Sequence, residues 1–250
     1  MGIPGVMARA LVLAALGAGT AAATPSTVFW TPCSMDIQPF GSVHLSYDNY
    51  TSLGRRGDGK SAFPNDLGLT AGLLPFAKLQ AEAGFDWLEP SDAPLVLNLK
   101  VGAPEGALFA GAPALQAGLF GLGFREGVND ANVVDFIAGV SLPGGTGRVH
   151  TGAYLGNGKL LLTAGGRREN AGVMMAYDLG LFPADSPKGA WNRLVLAADW
   201  MSGRNALGGG GAGLSWYFSR DAAILAGPVW FNEPAINGDW KWTTQFDANF

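Results

Sequence analysis

The sequence predicts an all-β chain that closes into an antiparallel, up-and-down transmembrane β-barrel of about twelve strands. Two observations predict it: apolar and polar residues alternate in many short segments, and charged residues are scarce. Only 14% of the residues are charged while 48% are apolar, whereas soluble domains carry roughly 25% charged residues. Glycine accounts for 38 of the 250 residues, which suits short strands joined by tight turns.

The first 23 residues have the pattern of a secretory signal peptide. One basic residue, Arg9, precedes an apolar run, and small residues lead up to an expected cleavage site near Ala23. We therefore expect residues 24–250 to form a single exported barrel domain, in which residues 24–41 precede the first clear strand. No later apolar run is long enough for a transmembrane helix, which needs about 20 residues.

Twelve segments alternate between apolar and polar residues, and they define the predicted strands. These are 43–51, 67–75, 79–88, 95–103, 114–124, 132–142, 148–156, 171–181, 193–202, 211–219, 222–232 and 240–250. Successive side chains point to opposite faces of a strand. A soluble sandwich also alternates but needs a charged exterior, so the low charge favours an apolar face toward lipid and a polar face toward a lumen. Two weaker segments, 26–33 and 159–166, leave fourteen strands as the alternative.

The lengths of the connections between these segments support a barrel of twelve strands. Bacterial barrels have short periplasmic turns and longer outer loops. Twelve strands place the short connections 76–78, 143–147 and 220–221 on the periplasmic side, and the long polar ones 52–66 and 157–170 outside. Connections 104–113 and 182–192 are long for periplasmic turns. The glycine run 208–211 is interpreted as a flexible outer loop.

The face assignment predicts which polar side chains line the lumen. They are His44, Ser46, Asp48, Glu82, Asp86, Asn98, Lys100, Asp135, Arg148, His150, Asp178, Arg193, Asp199, Lys241 and Asp247. Seven of these are acidic and four are basic, a net charge of −3. Clusters of carboxylates favour cations, so we expect a mild cation preference.

His44, Ser46 and Asp48 share one face of a strand and are the candidates for a catalytic group. The His and Ser spacing resembles that of outer-membrane phospholipases. In that family Asn follows directly after the Ser, whereas here Tyr47 follows Ser46, so the motif differs. Asp48 on the same flat strand is not placed to orient His44 from behind. We therefore predict no catalytic residues, and because no metal-ligand spacing or nucleotide motif occurs, no metal and no cofactor.

The chain ends in the alternating stretch WKWTTQFDANF, which places Trp240, Trp242, Phe246 and Phe250 on one face. This ending resembles the carboxy-terminal signal of Gram-negative outer-membrane β-barrel proteins. The resemblance implies that the barrel-assembly machinery recognises the last strand and that outer-membrane lipid surrounds the barrel. The stretches FWTPC (29–33) and GPVWFNEPAINGDWKW (227–242) are similar to uncharacterised exported barrel proteins, a similarity that implies no activity.

The function predicted from these features is a small porin-like channel for hydrophilic solutes. Without Arg9 the mature chain carries 15 basic and 20 acidic residues, which disfavours nucleic acid as a partner. The alternatives are a structural or adhesive barrel with a plugged lumen, an outer-membrane phospholipase-like enzyme, and a soluble periplasmic ligand-binding barrel.

Overall fold

The computed structural model of the protein describes residues 26–52, 63–187 and 189–250, so the predicted signal peptide lies outside the described residues. The strands are β1 Val43–Thr51, β2 Asn65–Gly72, β3 Gln80–Glu89, β4 Leu95–Ala103, β5 Ala114–Leu122, β6 Val133–Ser141, β7 Arg148–Leu155, β8 Ala171–Ala184, β9 Trp191–Met201, β10 Gly209–Ser219, β11 Ala222–Phe231 and β12 Trp240–Asn249. A 3-10 turn, Pro143–Gly145, and a short helix α1, Pro234–Asn237, lie in connections. No helix among these residues is long and apolar enough to cross a membrane.

The strands form one closed barrel in which each pairs antiparallel with its neighbours in the sequence. β1 closes the ring against β12, with His44 opposite Asn249 and Thr51 opposite Trp242. The predicted twelve-stranded, up-and-down barrel is confirmed. The fourteen-strand alternative is wrong, because residues 26–33 form no strand and residues 159–166 contribute only an isolated bridge, from Leu162 to Arg168.

The two ends of the barrel differ in their connections. We call the end at which β1 begins and β12 ends the turn end, and the opposite end the loop end. The connection predicted at 182–192 shortens to 185–190, because β8 continues to Ala184 and β9 already begins at Trp191. The strand ends on either side of the β1–β2 and β7–β8 connections lie at the loop end.

The exterior of the barrel is apolar. In β4, Leu95, Leu97 and Leu99 are exposed, whereas Asn98 and Lys100 between and beyond them are buried. Alternation therefore turns the leucines outward and the polar side chains inward. A closed strand ladder that satisfies its backbone groups and presents an apolar outer face meets the requirements of a membrane-spanning barrel.

The interior is packed with apolar as well as polar side chains. Val133, Ile137 and Met174 of the wall form a buried cluster with Cys33. This explains why Asp135 faces the same side as two apolar neighbours in β6. Side chains alone fill barrels of about eight strands, so a barrel of twelve has interior space left over. Residues 26–38 occupy that space.

The glycine run 208–211 does not form the predicted flexible loop, because β10 begins at Gly209. The Phe29 ring lies against this strand, and a Cβ atom at Gly211 or Gly213 would overlap the ring. Glycine in a strand permits such a close approach at some cost to strand stability. These glycines therefore form a flat part of the wall that receives an aromatic side chain.

Candidate functional site

The candidate site is the barrel interior together with residues 26–38, which we call the plug segment. Ser26 and Gln38 both contact Glu82, which lies near the beginning of β3 and so close to the turn end. Trp30 instead packs against Phe231, the last residue of β11, at the loop end. The segment thus enters from the turn end, reaches the loop end and returns.

Glu82 binds both ends of the plug segment, at Ser26 and at Gln38. Its Oε1 accepts the Ser26 N–H at 3.0 Å, and its Oε2 accepts the Ser26 hydroxyl and the Gln38 N–H, both at 2.7 Å. Lys100 Nζ donates to the Ser26 carbonyl at 2.7 Å and lies 3.9 Å from Glu82 Oε1. Glu82 and Lys100 are each only 1% exposed. One buried carboxylate therefore holds the two ends of the segment together at the turn end.

Asp199 holds the tip of the plug segment. Its Oδ2 accepts the backbone N–H groups of Phe29 at 3.1 Å, and of Trp30 and Thr31 at 2.7 Å each. Hydrogen bonds to an ionised acceptor are roughly twice as strong as neutral ones. Three adjacent amides converging on one buried oxygen fix the backbone of the tip in a single arrangement.

His150 and Arg148 form a third attachment. His150 Nδ1 accepts the Met35 N–H at 2.9 Å. Since Nδ1 is an acceptor, the proton of the neutral ring is on Nε2, which donates to Asp178 Oδ2 at 2.9 Å. Arg148 Nε donates to Asp178 Oδ1 at 2.9 Å, and its two terminal nitrogens donate to the Asp36 carboxylate at 2.8 Å each. Arg148 therefore bridges wall and segment.

Aromatic packing completes the contact at the tip. Phe29 is fully buried against the glycine surface of β10. The Trp30 ring lies edge-on to Phe231 with centroids 5.7 Å apart, and 6.3 Å from Phe63. Such aromatic pairs add about 0.5–1.5 kcal/mol beyond the area they bury. The tip is thus held by hydrogen bonds to its backbone and by pockets for two aromatic side chains.

Most of the predicted lumen residues lie inside the barrel. Those that are buried are His44, Ser46, Asp48, Glu82, Asp86, Asn98, Lys100, Asp135, His150, Asp178, Asp199, Lys241 and Asp247. Arg148 is turned inward but keeps 16% of its side chain exposed. The structure differs from the prediction at Arg193, which was expected to line the lumen. Arg193 shares the inward parity of β9, but its side chain is exposed because it lies near the turn end, outside the packed interior.

Several inward polar residues were missed by the sequence analysis. Asp66 lies opposite Asp48 in the β1–β2 register, and Gln116, Thr243 and Gln245 are buried. Asp66 was missed because the predicted strand began one residue later. With Asp66 the inward wall carries eight acidic and three basic side chains, a net charge of −5. Among the described residues, no three His, Cys, Asp or Glu side chains are arranged to hold a metal ion.

The possible catalytic group does not assemble. His44 Nε2 lies 3.3 Å from Asp247 Oδ1, and Nδ1 lies 3.0 Å from Asn249 Oδ1. Both ring nitrogens therefore lie close to side chains of β12, and no hydrogen bond joins the ring to Ser46 among the described residues. The carboxylate beside His44 is Asp247, which only the closure of the barrel brings there. These side chains are buried inside the barrel, away from the lipid.

Cys33, the single cysteine of the chain, is a buried free thiol in the plug segment. Burial, with a further contribution from the negative charge of Asp199, raises the pKa of the Cys33 thiol to about 12. The thiol is therefore protonated at neutral pH and lacks the thiolate form that reacts as a nucleophile. Its role in the structure is to pack in the apolar cluster.

Fold and interior together define a transmembrane β-barrel whose lumen is filled by its own N-terminal segment. The fold is similar to that of the KdgM porin, with a TM-score of 0.51 at 7% identity over 84% of this chain and 99% of that one. The NanC porin gives 0.49 at 6% identity over 83% and 98% of the two chains. An outer membrane channel from Pseudomonas putida F1 gives 0.45 at 14% identity over 88% and 99%. No family model and no curated protein matches the sequence.

Proposed function

We propose that this chain is a porin-like outer-membrane channel for small hydrophilic solutes, closed by its plug segment. The observation that carries the proposal is the way in which wall and segment interact. The strands satisfy their backbone groups in a closed ladder of their own, while Glu82 and Asp199 accept hydrogen bonds from backbone N–H groups of the segment. The segment is therefore a separable part of the structure. The fold shared with the KdgM porin supports a channel.

Opening requires the segment to leave through the turn end. Short turns of bacterial barrels face the periplasm, so the turn end is the periplasmic side in this proposal. Both Ser26 and Gln38 lie there, and no part of the chain has to be threaded through the barrel. Withdrawal exposes a wall with a surplus of carboxylates, which favours cations.

A structural barrel is the second candidate, and one observation favours it. A cavity of only about 10 Å³ between segment and wall, lined by residues that include Thr27, Arg148 and Ser215, has room for about one water molecule. A barrel that never loses its segment would not conduct. The two candidates are separated by removing the segment.

A variant that lacks residues 26–38 is expected to carry a steady ion current in a planar bilayer, whereas the full chain is closed most of the time. A second variant carries a protease site between Phe40 and Gly41, which are both exposed. It folds with the segment in place and can lose the segment after cutting. Faster migration of unheated than of boiled protein on a gel checks that the barrel is folded. Folded variants without current would support the structural barrel.

We also propose that the last strand directs assembly in the outer membrane. Trp240, Trp242, Phe246 and Phe250 are exposed on the outer face of β12 and at its end. Phe250 N–H donates to the Val43 carbonyl at 2.9 Å, and Val43 N–H donates to the Phe250 carbonyl at 3.2 Å. The terminal aromatic residue thus lies at the seam where the barrel closes, facing lipid, where an assembly factor has access to it.

Replacing Phe250 with lysine is expected to reduce the amount of folded barrel severalfold without preventing export. A lipid-facing Lys costs roughly 2–4 kcal/mol at mid-bilayer and less near the interface. The measurement is the heat-modifiable band in the outer-membrane fraction, with Phe250→Tyr as the aromatic control. Equal assembly of both variants would contradict a role for the terminal aromatic ring. Recovery of the unaltered chain in the soluble periplasm would contradict the location.

A further inference from the structure

The contacts of the plug segment are mostly ones that any peptide of suitable shape provides. Wall side chains accept the backbone N–H groups of Ser26, Phe29, Trp30, Thr31, Met35 and Gln38. Lys100 donates to a backbone carbonyl. The ion pair of Asp36 with Arg148 is a contact to a charged side chain of the segment. The wall therefore recognises the polypeptide backbone more than a particular sequence.

The second element of recognition is aromatic. Gly211 and Gly213 leave room for the ring of Phe29, which a Cβ atom at either position would obstruct. Phe231 and Phe63 flank the ring of Trp30. Glycines inside a strand weaken it, and the ring that it admits explains the glycine at position 211, where a Cβ atom would meet the Phe29 ring first. The wall is shaped for aromatic side chains next to the amides that Asp199 binds.

We infer that the space occupied by the plug segment is a binding site for short peptides that carry aromatic residues, and that the segment is its internal ligand. This inference rests on the proposed function, because the segment must leave before another peptide enters. The surplus of carboxylates on the wall favours peptides with a net positive charge. In this arrangement the segment excludes peptides until it is displaced, and a peptide that binds keeps the segment out.

The test uses the variant with a protease site between Phe40 and Gly41, cut after folding and washed in detergent. A fluorescein-labelled peptide with the sequence of residues 26–38 and a labelled tetrapeptide amide, Lys-Phe-Trp-Thr, are added separately, and binding is followed by fluorescence anisotropy. Both are expected to bind saturably. Alanine in place of the two aromatic residues is expected to weaken binding at least tenfold. A neutral glucose oligomer at the same concentration is expected not to compete.

Wall variants locate the site. Asp199→Asn is expected to weaken binding of both peptides about tenfold, which corresponds to about 1.4 kcal/mol. Asp135→Asn is the control, because it also changes a buried wall carboxylate. Asp135 has no hydrogen bond to the segment among the described residues, so the affinity of this variant for both peptides is expected to stay within twofold of the unaltered barrel. Gly211→Leu is expected to abolish binding of the aromatic peptides because its side chain fills the space of the Phe29 ring.

The outcomes separate this inference from the proposed function. Saturable binding to a barrel that carries no current would leave the peptide site standing and overturn the channel. A current without peptide binding would overturn the site and leave the channel. Binding of the residues 26–38 peptide but not of the tetrapeptide would show a receptor for the chain's own segment only, and would overturn the inference. Competition by the glucose oligomer would assign the site to carbohydrates instead.

Discussion

Replacing Glu82 with glutamine is expected to raise the open probability of the full-length channel about 10- to 100-fold. Glu82 accepts two backbone N–H groups and one hydroxyl from both ends of the plug segment. A hydrogen bond to a charged group contributes about 1.5–3 kcal/mol, and about 1.4 kcal/mol changes an equilibrium tenfold. Glutamine keeps the size of the side chain but presents an NH₂ group to some of these donors. The measurement is single-channel recording in a planar bilayer at fixed salt.

Asp86→Asn is the matched control for this experiment. Asp86 lies on the same strand and the same face as Glu82 and is also buried, with 6% of it exposed. Its hydrogen bond, however, comes from Asn98 of the neighbouring strand at 2.7 Å. Both substitutions replace one interior carboxyl group with an amide, but only Glu82→Gln removes an attachment of the segment. An equal rise in open probability for both variants would mean that net interior charge, not the bonds of Glu82, keeps the channel closed.

The wall of the barrel was predictable from the sequence because lipid imposes a simple rule on it. Each strand must alternate between an apolar outer face and an inner face. The segment 95–103 was predicted with the same bounds that β4 has in the structure. The same rule gave the inward position of His150 and Asp178. It failed at Arg193, since parity specifies the side of a strand but not the depth along the barrel axis.

The plug segment was not predictable, because its structure depends on contacts between distant parts of the chain. Thr31 and Asp199 are separated by 168 positions, and Pro32 removes a strand pattern from FWTPC. Two signals were present nonetheless. The predicted inward acidic residues outnumber the inward basic residues, and the glycines at 208–211 leave a stretch of the chain without side chains. Each implies a donor or a bulky group from elsewhere, but neither identifies residues 26–38 as its source.

The neighbours of His44 also come from a distant part of the chain and were not predictable. The sequence spacing indicated Ser46 and Asp48, on the same strand, as candidate partners of His44. The side chains that His44 meets are Asp247 and Asn249, which come from the other end of the chain. Their proximity follows from the register of β1 with β12, and no local pattern specifies how the first and last strands of a barrel are aligned.

Ion selectivity should follow the charge of the interior once the plug segment is absent. In the variant without residues 26–38, Glu82→Lys and Asp86→Lys together change the net charge of the inward wall from −5 to −1. Carboxylates in the conducting path raise the local concentration of cations. We expect the cation preference, measured as the reversal potential in a salt gradient, to disappear almost entirely. The change should be larger in dilute salt, because the Debye length is about 30 Å at 0.01 M and about 3 Å at 1 M.

The control for this reversal changes the same number of charges outside the lumen. Asp92 and Asp239 are exposed in connections at the loop end, so Asp92→Lys with Asp239→Lys adds the same positive charge without altering the inward wall. This pair is expected to shift the reversal potential only slightly, and mainly in dilute salt, because solvent screens exposed charges. If the loop variant shifted selectivity as much as the β3 variant, the mouth of the barrel would set selectivity. An unchanged cation preference in the β3 variant would mean that Glu82 and Asp86 do not face the conducting path.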